Sequence, residues 1–128
     1  MINTIILVFL GGAVGAVLRE LLMLGVPNLA DGIPLSILLA NIVASFLLGL
    51  ASGLFQKGIL SADVNLLIST GVMGGLSTFS SFVFGAFVLM SGSMHGMFSA
   101  VIYLTVSIIL GYVAVLGGLR LTGASVAS

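Results

Sequence analysis

Thr70-Gly71-Val72-Met73-Gly74-Gly75-Leu76-Ser77-Thr78-Phe79-Ser80-Ser81-Phe82 lies in the middle of a long apolar stretch. It sets two adjacent glycines beside four hydroxyl residues between positions 77 and 81. A continuous membrane helix needs none of these. Each glycine costs a helix about 1 kcal/mol relative to alanine, and a break at mid-membrane depth would free carbonyls that hydrocarbon cannot satisfy. The stretch therefore predicts a third helix broken between Gly74 and Thr78, with polar groups meeting the freed backbone. Unwound backbone of this kind coordinates cations through carbonyl oxygens, and helix N-termini beside it offer N–H groups to anions. The alternative is a glycine-rich packing face whose hydroxyls bond back to their own helix.

Outward from this stretch, the chain divides into four apolar segments, at about 2–24, 33–55, 64–90 and 97–119. Each is long enough to cross a bilayer core of about 30 Å. Gly25-Val26-Pro27-Asn28 with Asp31-Gly32 ends the first, Gln56-Lys57-Gly58 the second, and Ser91-Gly92-Ser93-Met94-His95-Gly96 the third. Of 128 residues, 60% are hydrophobic and 5% charged, far below the roughly one quarter of a soluble domain. The expected fold is a single all-α integral membrane domain of four transmembrane helices. The first segment lacks a basic leader and outruns a signal-peptide core, so it is read as a retained helix. With no cysteine, disulfides and thiolate metal sites are excluded.

Lys57 and Arg120 lie near the face that carries the termini and Arg19 near the other, so positive charge specifies almost no orientation. Two copies inserted in opposite senses would form an antiparallel dual-topology homodimer, the arrangement that fused inverted repeats imitate. The pairs Gly11 and Gly15, Gly49 and Gly53, and Gly71 and Gly75 have the small-xxx-small spacing that lets helices approach closely. Generic membrane-helix composition would account for any one pair equally well.

Phe79 and Phe82 are three residues apart and share a helix face, flanked by the hydroxyls of Ser80 and Ser81. Ring edges are electropositive, so with hydroxyl hydrogens they can replace part of the hydration shell of a small anion. Two phenylalanines facing lipid are the competing interpretation. Asn41 sits between Ile37-Leu38-Leu39-Ala40 and Ile42-Val43-Ala44 in the second segment, with no other strong hydrogen-bonding group beside it until Ser45, and an amide there faces either a partner helix or a polar cavity. Tyr103, Ser107 and Gly111 form a narrow polar stripe on the fourth, where Tyr103 is equally an interfacial anchor. Arg19 and Glu20 near the end of the first are expected to snorkel. His95 has no ligand partners in the sequence, and no nucleophile and base pair, metal-ligand cluster or phosphate loop marks an enzyme.

The run from Gly11 to Arg19, Asn41, and the Gly74–Phe82 motif together resemble the small Fluc-type fluoride channels of microbes, over three helices in order. The resemblance implies an antiparallel homodimer with two fluoride pores, a structural Na⁺ at the dimer centre, and passive export of F⁻ across the cell inner or plasma membrane. It makes Asn41 the pore amide and Phe79 and Phe82 the aromatic edges, with Ser80 and Ser81 as pathway hydroxyls. Tyr103 and Ser107 fall on a polar track, and Arg19 lies near the vestibule. Backbone carbonyls of Gly74 and Ser77 would hold Na⁺. The partners implied are fluoride, a second copy and the lipid bilayer, with no nucleic acid. Two departures stand out: Gly85 lies where many relatives carry an acid, and Ile37 where a threonine often precedes the asparagine. A small proton-coupled multidrug exporter is the alternative, for which Glu20 would be the membrane carboxylate; a structural subunit of a larger complex is a third.

Overall fold

The computed structural model describes residues 1–27, 33–92 and 96–123. Asn28, Asp31, Gly32, Ser93, Met94, His95 and residues 124–128 lie outside the described residues. In chain order the elements are α1 (Ile2–Gly25), α2 (Leu35–Gln56), a short α3 (Ala62–Asn65), a π-helical segment (Leu66–Met73), α4 (Gly74–Leu76), α5 (Phe79–Gly92) and α6 (Gly96–Leu121). Four helical spans, with Ala62–Gly92 as the third, are long and apolar enough to cross a membrane. All regular structure among the described residues is helical.

Local chemistry accounts for the ends. Val26 precedes Pro27, whose ring disfavours helical backbone in the residue before it, and Val26 is extended at φ −118°, ψ 113°. At the end of α2, Gly58 takes a positive φ of 77°. Its N–H bonds the Phe55 carbonyl at 3.0 Å and Ile59 N–H bonds the Leu54 carbonyl at 2.9 Å, the pair of bonds that closes a helix around a left-handed glycine. Ser61 then starts α3 by accepting from the Val64 N–H at 3.2 Å.

Two glycine-lined crossings organise the bundle. On α1, a Cβ built at Gly11 would lie 2.8 Å from the Gly71 Cα, and one at Gly15 would collide with the Val72 carbonyl oxygen. A Cβ at Gly75 would in turn strike the Gly12 carbonyl oxygen. The Gly11/Gly15 and Gly71/Gly75 pairs thus face each other and bring two backbones into contact. Gly49 meets α6 at the Val115 carbonyl oxygen, while Gly118 of α6 meets the Phe46 carbonyl oxygen of α2. The glycine pairs are packing surfaces rather than generic composition. Dispersion between closely fitted backbones is what such crossings supply, since lipid removes the hydrophobic drive between helices.

The buried apolar residues form two clusters, Ala40, Ala44, Met73 and Leu76 in one and Ile33, Ile37, Ala86, Leu89, Ala100 and Tyr103 in the other. Large side chains such as Phe9, Leu21, Phe87 and Ile108 point outward instead. That inversion suits a hydrocarbon solvent and makes this a multi-pass membrane protein.

Candidate functional site

The polar groups converge where α4 gives way to α5. Ser77 leaves the helical conformation, at φ −121°, ψ 99°, and Thr78 begins the next helix as its cap. The Thr78 Oγ1 accepts from the Ser81 N–H at 3.4 Å and donates to the Ser81 Oγ at 2.8 Å, while Phe82 N–H bonds the Thr78 carbonyl at 3.3 Å. A helix N-terminus therefore opens within the stretch Ala62–Gly92, with the first N–H groups of α5 lacking helical partners.

The carbonyls released by the turn at Ser77 are met from neighbouring helices. Arg19 of α1 donates from Nε to the Gly75 carbonyl and from Nη1 to the Ser81 Oγ, both at 3.2 Å. Its guanidinium is half-buried and joins α1 to both sides of the turn, so the expectation that it snorkels to the interface is corrected: a freed carbonyl is a better partner than distant headgroups. Removing that partner leaves a part-buried carbonyl unpaired. Arg19→Leu is expected to lower the unfolding free energy of the protein in detergent by roughly 1–3 kcal/mol, read from denaturation monitored by circular dichroism; an unchanged midpoint would make the contact dispensable.

On the other side of the turn, Asn41 of α2 accepts from the Ser77 hydroxyl at 2.6 Å. Both residues line a recess of about 380 Å³ together with Ser45, Thr78, Phe79, Phe82, Ser107, Gly111 and the apolar Ile108, Tyr112 and Val115. The Ser107 Oγ is buried and has no hydrogen-bond partner among the described residues. Phe82 stands between Phe79, at 6.3 Å and 54° between rings, and Tyr103, at 5.2 Å and 51°. Both are tilted arrangements of the kind that aromatic quadrupoles favour. Among the described residues, no acidic or basic side chain lines the recess.

The structure therefore brings Asn41, Phe79, Phe82 and Ser107 to one recess and leaves other expected residues outside its lining. Ser80 is exposed, and Ser81 is turned toward Arg19 and Thr78. Tyr103 is 1% exposed and donates its hydroxyl to the Phe82 carbonyl at 3.2 Å; it is a buried support for Phe82 and not an interfacial anchor. Ser45, Thr78 and Tyr112 join the lining without having been expected there as site residues. Ser45 carried a signal, since it sits one helical turn beyond Asn41 and so shares its face.

A smaller recess of about 180 Å³ lies beside the first, lined by Ser45, Ser69, Gly74 and Ser77 with Ala44, Leu48 and Met73. Gly74 is exposed there, with no atom within 4 Å of the place a Cβ would take. The lining of this recess carries three serines and, among the described residues, no carboxylate; oxygen-only surroundings are the kind that hard cations accept.

A family profile described as CrcB-like protein, Camphor Resistance (CrcB), matches residues 6–119. The chain is 55% identical over 120 residues to a protein of Brucella abortus biovar 1 (strain 9-941) named fluoride-specific ion channel FluC 1. That match covers 94% of this chain but 44% of the Brucella protein, so the chain spans less than half of that relative's length. It is 53% identical over 121 residues to fluoride-specific ion channel FluC 3 of Yersinia pseudotuberculosis serotype I (strain IP32953), covering 94% of this chain and 90% of the relative. Identity to a fluoride-specific ion channel FluC of Thermus thermophilus is 40% over 122 residues, with 94% of each covered. With the profile reaching across all four helical spans, this chain belongs to the CrcB-like family.

Proposed function

We propose that the protein is a fluoride-selective channel that lets F⁻ leave the cell passively across the cytoplasmic membrane. The observation that carries this reading is the composition of the larger recess, where donors are present without competing charge. Asn41, the buried Ser107 hydroxyl and the side chains of Phe79 and Phe82 line it. Fluoride is small and strongly hydrated, and exchanging its water for N–H, O–H and ring-edge hydrogens keeps the cost of entry low. A larger halide would meet the same donors at a less favourable distance. Relatives named as fluoride-specific channels support the choice of anion.

Assembly as an antiparallel homodimer with two pores fits the exposure around the recess. Phe79 is 77% exposed, Tyr112 66% and Ile108 65% in the single chain. A second copy inverted in the membrane would cover these side chains and give the recess its missing wall. The residues beside the smaller recess fit a structural Na⁺: the carbonyls of Gly74 and Ser77 would hold it, and the ion would supply positive charge against carbonyl dipoles freed by the turn. The exporter alternative requires a carboxylate in the transport cavity, and among the described residues neither recess has one.

The test is purified protein in liposomes loaded with potassium fluoride or potassium chloride, with valinomycin to carry the counter-charge and ion-selective electrodes outside. Rapid fluoride efflux without chloride efflux is expected. Absence of fluoride efflux at several proteins per vesicle would overturn the channel.

A further inference from the structure

We infer that the Ser77 hydroxyl orients the Asn41 side chain so that the NH₂ end of the amide faces the larger recess, which makes Ser77 a positioning residue for the anion. This rests on the anion reading of that recess. The Ser77 Oγ lies 2.6 Å from the Asn41 amide. That separation belongs to O–H···O bonds, whereas N–H···O bonds cluster near 2.9–3.0 Å. The hydroxyl therefore donates, and the amide oxygen is the end it holds.

The consequence follows from the shape of an amide. Its two ends are nearly the same size, so packing alone does not choose between them, yet one end donates two hydrogens and the other only accepts. With the oxygen occupied by Ser77, the group left for the recess is the donor. Turned the other way, Asn41 would present a carbonyl oxygen to an anion and repel it.

The helix break makes this bond available. A serine within a continuous helix tends to spend its proton on the carbonyl one turn back. Ser77 keeps its N–H on the Met73 carbonyl at 3.0 Å, but its extended conformation swings the side chain toward α2. The turn at Ser77 thus has a use apart from any cation at its carbonyl: it releases a hydroxyl that sets the polarity of the amide opposite.

Three substitutions separate this role from packing. Ser77→Ala removes the hydroxyl, and Ser77→Thr and Ser77→Val form a pair of equal shape that differ only in having one. In liposomes, Ser77→Ala and Ser77→Val are expected to slow fluoride efflux roughly tenfold, the scale of one lost hydrogen bond at a buried polar group, with Ser77→Thr recovering at least half of the native rate. If Ser77→Ala does not fold, the threonine and valine pair decides. Equal rates for threonine and valine, whether fast or slow, would overturn the inference. Protein labelled with ¹⁵N-asparagine gives a readout independent of transport. The Asn41 side-chain amide signals, identified by their loss in Asn41→Ala, are expected to shift in Ser77→Val and to remain near native positions in Ser77→Thr, with fluoride absent. Native protein that carries no fluoride but shows that pattern would remove the channel reading and leave the orientation standing; identical amide signals in all three would remove the orientation.

Discussion

Asn41→Asp is expected to reduce fluoride efflux from liposomes by two orders of magnitude or more while the protein remains folded. The substitution preserves volume and leaves an oxygen to accept from Ser77, which now bonds Asn41 at 2.6 Å, so little should change in the packing of α2 against α4. What changes is the group facing the recess, where an NH₂ donor becomes a carboxylate oxygen. Two like charges about 4 Å apart repel by about 4 kcal/mol at an effective dielectric of 20. Every 1.4 kcal/mol is about tenfold in an equilibrium constant, so even half of that repulsion, added to the lost donor, reaches the stated scale. Asn41→Ala, which removes the donor without adding charge, should fall between the two. The measurement is the initial efflux rate at matched protein density, with size-exclusion profiles to show that each variant is intact. Native efflux from Asn41→Asp would mean that fluoride does not pass this recess.

The second large effect is on folding. Gly15→Val should destabilise the protein by about 3 kcal/mol or more, at the upper end of overpacking costs in well-packed cores. The reason lies in what the added carbon would meet. A Cβ at Gly15 collides with the Val72 carbonyl oxygen, and the Leu76 nitrogen is 2.7 Å away. Both are backbone atoms of the third span, so no rotamer change relieves the overlap and α1 must move outward. That movement would also pull Arg19, one turn further along α1, from the Gly75 carbonyl. Gly117→Ala is the matched control, because nothing lies within 4 Å of a Cβ built there. It should be neutral or slightly stabilising, as alanine is the better helix former. Denaturation in detergent followed by circular dichroism checks both, and a Gly15→Val protein as stable as the native one would show that the crossing is loose.

The architecture was legible because a membrane writes it into local composition. Spans are runs of apolar residues of a definite length, their ends are Gly, Pro and Asn clusters, and close crossings need small residues four apart. Gly11 with Gly15 and Gly71 with Gly75 could be picked out by spacing alone. That they pack against each other could not, since nothing in a spacing says which other helix a face will meet. The residues that line the larger recess divide in the same way. Asn41 stood out because an amide in hydrocarbon demands a partner, whereas Ser45 and Thr78 look like the ordinary small polar residues of membrane helices.

The hydroxyls illustrate the limit best. Ser77, Thr78, Ser80 and Ser81 are adjacent in the chain and chemically alike, yet Ser77 bonds Asn41, Thr78 caps α5, Ser81 meets Arg19 and Ser80 is exposed. Their separate fates depend on the turn at Ser77, which rotates α5 relative to α4, and on which helices lie to either side. Hydropathy is a property of a residue and its near neighbours, so membrane insertion and four spans follow from the amino acids in order, whereas Gly74 and Gly75 stay helical and the backbone departs from the helix only at Ser77. Direction is different. The Ser77 to Asn41 bond joins positions 36 apart and the Arg19 to Ser81 bond positions 62 apart, and such pairs exist only once the helices have crossed at their glycines and turned particular faces toward one another.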